Sequence, residues 1–174
     1  MDLLDWFYRF ISFFGVRNKQ AKILILGLNK TGKSTLLKQM AYYRPGLRPN
    51  LYPTSEELVV DNVRFVAIDV GEQIWSEYLY DVAGIIFLVD TTDYMRFDKV
   101  EAELNVLLAM KETQAIPIVV LGNKIDRLEA VSEEEPRYEL GLEHIYDRPI
   151  ALYMCSLASR QGYGEALRFL EGHI

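Results

Sequence analysis

The sequence predicts one α/β domain with a mostly parallel, six-stranded sheet, helices on both faces and one antiparallel strand. Its 174 residues are enough for one domain with a sizeable core. Uniformly apolar runs alternate with segments whose apolar residues recur at helical spacing, which is typical of parallel strands joined by helices. Asp61 and Asn62 suit a hairpin turn between two further strands and predict the antiparallel pairing.

The elements can be assigned in order along the chain. The six predicted strands cover residues 21–26, 57–60, 63–68, 84–89, 116–121 and 150–155. A helix is expected from Ser34 to about Tyr43, and the prolines and Gly46 of residues 44–53 predict an irregular loop. Helical spacing predicts two more helices, one with Phe97, Val100, Leu104, Leu107 and Leu108, the other with Tyr163, Ala166, Leu167 and Leu170.

Composition excludes several classes of protein. The net charge of −6 argues against nucleic acid as a partner. The single cysteine, Cys155, excludes an internal disulfide, and its apolar neighbours predict a buried strand residue. No apolar stretch reaches the roughly 18 residues that a spanning helix needs. The N-terminus carries Asp2 and Asp5 and makes a poor signal peptide.

Residues 27–35 match the phosphate-binding pattern G-x-x-x-x-G-K-[ST], between a predicted strand and a predicted helix. In such a loop the amide N–H groups and the helix N-terminus form a cradle for a polyphosphate. Lys33 is expected to bridge the terminal phosphates, and the Ser34 hydroxyl to bind Mg²⁺. The alternative, a simple glycine-containing turn, does not account for the complete pattern with both flanks.

Two more residues are candidates for the metal site. Asp69 follows the third apolar strand, where a carboxylate that organises Mg²⁺ is expected downstream of a phosphate loop. Thr54 closes the long loop before the second strand, and a threonine there can bind Mg²⁺ only while a γ-phosphate is present. Taken alone, Asp69 is better explained as a cap of its strand and Thr54 as an ordinary loop residue, so both assignments depend on the phosphate loop.

The segment Gly122-Asn-Lys-Ile-Asp follows the fifth predicted strand and predicts guanine specificity. The Asp126 carboxylate can accept from both N1–H and the exocyclic amine of guanine, a donor pair that adenine lacks. Asn123 is expected to fix the loop, Lys124 to cover the base, and the amides of Ser156 and Leu157 to meet the guanine carbonyl. A P-loop kinase or ATPase with a coincidental Asn-Lys-x-Asp is the alternative left open.

In this order, the motifs resemble those of a Ras-superfamily small GTPase. Residues 53–58, 122–127, 154–156 and 160–165 resemble the Sar-type GTPase of the COPII vesicle coat in particular. The resemblance implies the P-loop GTPase fold, GTP and GDP as ligands with Mg²⁺, and partners that include an exchange factor and inner COPII coat subunits with a GAP. It also implies the cytoplasmic face of the endoplasmic reticulum, in exchange with the cytosol, with the Golgi as a further site. The predicted nucleotide contacts are Asn29, Lys30, Thr31, Gly32, Lys33, Ser34, Thr35, Gly71, Asn123, Lys124, Asp126, Ser156 and Leu157.

The segment that follows Asp69, which corresponds to the second switch of the family, departs from the resemblance. Glu72 stands where the family has glycine, which places a side chain and a negative charge near a polyanion. The segment after Asp69 is also shorter, by about one helical turn. Gln73 is the expected catalytic residue and would position the attacking water, as glutamine does in Ras. Asn29 replaces a common aspartate, and no motif places an arginine to act in cis, so hydrolysis is expected to be slow without a GAP. A GTP-binding module with little or no hydrolysis is the alternative.

Residues 1–17 predict an amphipathic helix outside the GTPase domain, which would cover residues 18–174. Its apolar face comprises Leu3, Leu4, Phe7, Tyr8, Phe10, Ile11 and Phe14. Asp2, Asp5, Arg9 and Ser12 lie opposite. An aromatic-rich helix with a polar back suits the surface of a membrane. Packing of the same helix on the domain is the alternative, and the resemblance implies that both occur in turn, with GDP and with GTP.

Overall fold

The computed structural model describes residues 3–17, 20–42, 44–71 and 75–174. The helices are α1 (Leu3–Arg17), α2 (Lys33–Tyr42), α3 (Phe97–Ala109), α4 (Glu134–Glu139) and α5 (Gly164–His173). The strands are β1 (Ala21–Gly27), β2 (Asn50–Leu51), β3 (Glu56–Val60), β4 (Val63–Asp69), β5 (Val82–Asp90), β6 (Ile118–Asn123) and β7 (Ile150–Met154). Alternation of strands and helices therefore extends along the chain, as predicted.

The strands form one sheet in the order β2-β3-β4-β1-β5-β6-β7. The strands β4, β1, β5, β6 and β7 are parallel to one another, and β3 is antiparallel to β4. The turn between β3 and β4 is the predicted hairpin, with Val60 opposite Val63 and Asp61 at a φ of +51°. The predicted fold class, including its antiparallel strand, is confirmed. Because the parallel strands all end at one edge, that edge collects the polar residues that follow them.

In the part of the chain that the structure describes, the sheet has seven strands, not the six that we predicted. The additional strand, β2, lies in the segment that we expected to be irregular, and its two residues pair with Glu56 and Glu57 of β3. Pro49 and Pro53 flank this pair at positions outside the ladder. A missing proline N–H therefore removes no ladder hydrogen bond, and an edge strand needs a partner on one side only. Two residues suffice for such a pairing, which is too short to give a periodic signal.

Each face of the sheet carries its own hydrophobic core, because successive strand residues point to opposite faces. Ile23 and Ile25 of β1 pack with α1, α2 and α5, whereas Leu24 and Leu26 pack with α3 and with the segment after α4. The predicted stripes of α3 and α5 are buried, except for Leu108, which is half-buried. Cys155, just beyond β7, is fully buried as predicted, and burial raises the pKa of its thiol to about 12.

Helix α1 packs on the domain against α2, α5 and Phe65 of β4. Among residues 4–15 of this helix, the buried ones are Trp6, Phe7, Phe10, Ile11 and Phe14. Two of our assignments change: Tyr8 is 43% exposed, and Trp6, which we had not assigned to the apolar face, is completely buried. Burial of Trp6 is possible because its indole Nε1–H donates to the backbone oxygen of Leu167, at 3.0 Å. Among the described residues, none of the helices has the length and apolar character required to cross a bilayer.

Candidate nucleotide-binding site

A cleft of about 730 Å³ lies at the carboxyl edge of the sheet. Its wall is formed by the segment between β1 and α2, the segment that leads into β3, and the ends of β4 and β6. The loop that follows β7 closes the cleft through Leu157 and Ala158. The motifs that we singled out in separate parts of the sequence therefore meet at one site.

The phosphate loop depends on a close approach at Gly32. This residue has a φ of +114°, and a Cβ added to it would lie 2.5 Å from Nδ2 of Asn123. Any side chain here would require both an unfavourable backbone conformation and displacement of Asn123. The second glycine of the motif is therefore needed for contact between the phosphate loop and the end of β6.

Lys33, the first residue of α2, is buried and directs its charge into the loop. Its Nζ donates to the backbone oxygen of Leu28 at 2.5 Å and forms an ion pair with Oδ1 of Asp69 at 2.6 Å. Burial lowers the pKa of Lys33, and the opposing effects of Asp69 and Glu56 do not fully compensate. An ammonium group that has lost its water gains strongly from a further anion, which a phosphate in the cleft would supply.

The three predicted metal ligands all line the cleft, in two different environments. Ser34 and Asp69 are the two that adjoin Lys33. The Ser34 hydroxyl donates to Oε1 of Glu56 at 2.5 Å, and Asp69 forms an ion pair with Lys33. Thr54 is exposed, and its Oγ1 is hydrogen-bonded to the hydroxyl of Tyr78 at 2.7 Å. Hydroxyl and carboxylate oxygens are the ligands that Mg²⁺ prefers, so the residues around Ser34 fit this ion.

Asn123 connects three parts of the site. Its Nδ2 donates to the backbone oxygen of Thr31 at 2.9 Å, and its Oδ1 accepts from the amide of Leu157 at 3.0 Å. The side chain is buried, so both hydrogen bonds are shielded from water. Asn123 thus ties the phosphate loop to the loop after β7 and sets the distance between the two ends of the cleft.

The residues at the other end of the cleft are held by side-chain contacts. Lys124, with a φ of +74°, donates to the backbone oxygen of Lys30 at 2.8 Å. Asp126 is exposed at the cleft wall, and the Ser156 hydroxyl donates to its Oδ1 at 2.6 Å. Ser156 is itself fixed by two backbone hydrogen bonds with Gln161. The Asp126 carboxylate is therefore oriented by Ser156 at the wall of the cleft.

Asp90, which we had not identified from the sequence, belongs to the same network. It ends β5, and its Oδ2 accepts from Nζ of Lys124 at 2.5 Å. Burial opposes ionisation of Asp90, but hydrogen bonds from Lys124 and Thr92 outweigh it and lower the pKa of the carboxyl group. Asp90 could have been identified from the sequence as a polar residue at the carboxyl end of a buried strand, which is the same observation that identified Asp69.

Several predicted contacts lie outside the wall of the cleft. Thr31 and Ser156 are buried behind it, where they support Lys33 and Asp126. Asn29 is hydrogen-bonded to Arg96, and Gly71 lies beside Lys99 of α3. Lys30, Gly32, Lys33, Ser34, Thr35, Asn123, Lys124, Asp126 and Leu157 form part of the wall. Gln73, the predicted catalytic residue, and Glu72 lie outside the described residues.

Comparison with known proteins agrees with this geometry. Residues 7–174 match the model of the ADP-ribosylation factor family. The small COPII coat GTPases SAR1 of Giardia intestinalis and of Nicotiana tabacum are both 34% identical to the chain, over the full length of each protein. ADP-ribosylation factor-like protein 3 of Caenorhabditis elegans is 28% identical over 94% of this chain and 92% of its own length. The chain belongs to the ADP-ribosylation factor family and has the P-loop GTPase fold.

Proposed function

We propose that this protein is a small GTPase that alternates between GDP-bound and GTP-bound states. The bridge formed by Asn123 is the observation that carries the proposal, because it joins a phosphate-binding end of the cleft to a base-binding end. Its relatives named as small COPII coat GTPases support the same activity. The substrate is GTP, and the reaction is phosphoryl transfer to water.

The two ends of the cleft bind different parts of the nucleotide. Lys33 and the amides of the loop around Gly32 bind the phosphates, and loss of hydration at Lys33 strengthens that interaction. Asp126 accepts two hydrogen bonds from guanine, and its contact with Ser156 keeps the carboxylate in place before the base arrives. A base without this donor pair leaves the carboxylate unpaired, which disfavours adenine.

Ser34 and Asp69 are the residues that would hold Mg²⁺, together with the phosphates. The ion supplies charge neutralisation at the phosphate oxygens when it is bound. Thr54 joins the metal site only in the GTP state, for which it has to leave its present partner, Tyr78. The exposed position of Thr54 makes this movement possible without loss of a buried contact.

Hydrolysis breaks the bond between the γ-phosphorus and the bridging oxygen while a new bond forms to water. Gln73 positions that water. The reaction is slow in the isolated protein, because Glu72 adds negative charge and because a GAP has to supply an arginine. If Glu72 and the shortened segment disable this step altogether, the protein is a GTP-binding module without turnover. Single-turnover hydrolysis with and without a coat GAP distinguishes the two functions.

The GTP state binds the cytoplasmic face of the endoplasmic reticulum through α1 and recruits the inner COPII coat. Among residues 4–15, the packed helix buries five large apolar side chains, so its release provides an apolar face for a membrane surface. Release requires loss of the hydrogen bond from Trp6 to Leu167 and of the ion pair between Arg9 and Glu171. An exchange factor at the membrane would promote that transition, and the GAP of the coat would reverse it.

The decisive test is identification of the nucleotide that copurifies with the full-length protein, followed by removal of that nucleotide and calorimetry of the nucleotide-free protein with GDP, GTP and ADP in magnesium buffer. We expect guanine nucleotide in the purified protein and heat of binding with GDP and GTP alone. Equal binding of ADP would support a P-loop ATPase or kinase instead. No heat with either guanine nucleotide would refute the proposed function.

A further inference from the structure

We infer that Glu56 is a positioning residue of the magnesium site, which accepts a hydrogen bond from the Ser34 hydroxyl so that the oxygen lone pairs of Ser34 face the metal. The inference rests on the proposed function, since it concerns Mg²⁺ bound together with a guanine nucleotide. It adds a residue that no motif in the sequence identifies, because Glu56 belongs to none of the phosphate-binding or base-binding patterns.

The backbone holds Glu56 firmly in place. It is the first residue of β3, paired with Leu51 of β2 on one side and with Ala67 of β4 on the other. Its Oε1 lies 2.5 Å from the Ser34 hydroxyl oxygen, and both residues line the cleft. Thr54, only two residues earlier, is exposed and lies outside any strand. The pairing in the sheet therefore fixes the position of Glu56, whereas no strand holds Thr54.

The chemistry of a hydroxyl ligand explains why such an acceptor is needed. A serine hydroxyl has one proton and two lone pairs, and a lone pair binds the metal. The proton then needs an acceptor that points away from the ion, because a proton directed at the metal would block the lone pairs. Glu56 fulfils this role for Ser34 with a charge-assisted hydrogen bond, and partners of this kind orient metal ligands and raise their basicity.

The second oxygen of Glu56 strengthens the assignment. Oε2 is inaccessible to solvent and has no hydrogen-bond partner within the described part of the chain. A buried carboxylate oxygen without a partner is costly, and a metal-bound water is a donor of suitable chemistry. The charge of Glu56 also acts on Lys33, beside Asp69. Two carboxylates next to a polyphosphate repel it unless a divalent cation is present, which couples nucleotide binding to Mg²⁺.

The test measures GDP release from the full-length protein at a series of free Mg²⁺ concentrations. In the wild type, Mg²⁺ slows release with a defined midpoint concentration. We expect Glu56→Ala to raise this midpoint by about ten- to a hundredfold, as for other residues that support a metal ligand. Glu56→Gln keeps an acceptor oxygen without the charge and should give an intermediate midpoint.

Glu57→Gln is the matched control. Glu57 is the next residue of β3, and its carboxylate is directed to Arg64, with oxygen–nitrogen distances of 2.7 and 2.9 Å. The Glu57→Gln variant therefore loses the same charge on the opposite face of the strand, and its Mg²⁺ midpoint should equal that of the wild type. Thermal unfolding of each variant in the nucleotide-free state identifies any general loss of stability.

The possible results separate this inference from the proposed function. If the wild type binds no GDP in magnesium buffer, the proposed function fails first. If the wild type shows a Mg²⁺ midpoint and Glu56→Ala has the same midpoint, Glu56 has no role at the metal and the inference is overturned. Faster release at every Mg²⁺ concentration with an unchanged midpoint indicates a structural role only and overturns it equally.

Discussion

Arg96, in the turn before α3, donates to both oxygens of Asn29 in the phosphate loop. The distances are 2.5 Å from Nη1 to the side-chain Oδ1 and 3.0 Å from Nη2 to the backbone oxygen. Asp93 orients the guanidinium group by accepting from Nε at 2.5 Å. The phosphate loop is therefore held on two sides, by Arg96 on its outer face and by Asn123 at Thr31.

Substitution Arg96→Ala should weaken nucleotide binding by loosening the phosphate loop. The Arg96 side chain is 28% exposed, and we expect loss of about 1–2 kcal/mol, which corresponds to roughly tenfold faster GDP release. Stopped-flow release of a fluorescent GDP analogue measures the effect. Arg137→Ala removes a half-buried arginine of α4 that pairs with Glu133 just before the helix, and should leave release unchanged. Equal release rates for Arg96→Ala and wild type would show that the contact is incidental.

Substitution Asp126→Asn should remove the preference for guanine. The variant replaces a charged double acceptor by an amide that has only one acceptor oxygen and adds donors facing the donors of guanine. We expect GDP affinity to fall by at least about a hundredfold, the equivalent of losing about 3 kcal/mol in charge-assisted hydrogen bonds. Calorimetry with GDP provides the measurement, and Asp147→Asn, at an exposed aspartate, is the control. Unchanged GDP affinity would place the base elsewhere.

Much of the fold and of the site could be predicted from local pattern. The buried strands are apolar apart from Lys22 and the polar residues that end β5 and β6, so these strands and β1 were assigned directly, and the phosphate loop is a contiguous motif. Because parallel strands share a carboxyl edge, Asp69 and Asp126 could be assigned to one site before their distance was known. These features depend on residues close together in the chain.

The features that we missed depend on contacts between distant residues. Arg96 and Asn29 are 67 positions apart, and Trp6 finds its carbonyl partner 161 positions away. Periodicity predicts that α1 has an apolar face, but it cannot predict that Trp6 is more buried than Tyr8, because the difference arises from the hydrogen bond to Leu167. The strand β2 is likewise defined by its partner β3 and not by its own two residues.

Cys155 should make stability depend on pH in alkaline solution. Burial raises the pKa of this thiol from its ordinary value of 9.0 to about 12 in the folded protein. Because the folded pKa is the higher one, the contribution to stability is fully present below pH 9 and is lost as pH rises towards 12. Between these limits the wild type should lose about 1.4 kcal/mol per pH unit relative to Cys155→Ala. Urea unfolding of both proteins at several pH values tests this, and parallel curves would contradict it.

Substitution Trp6→Phe should favour release of α1. The ring remains apolar but the hydrogen bond from the indole to the backbone oxygen of Leu167 is lost, at a cost of about 0.5–1.5 kcal/mol. If α1 binds membranes once released, the GDP-loaded variant should float with liposomes at least several-fold more than the GDP-loaded wild type. Trp75→Phe is the matched control, since Trp75 is buried in the core on the other face of the sheet. Equal flotation of Trp6→Phe and Trp75→Phe would mean that the packed position of α1 does not depend on this hydrogen bond.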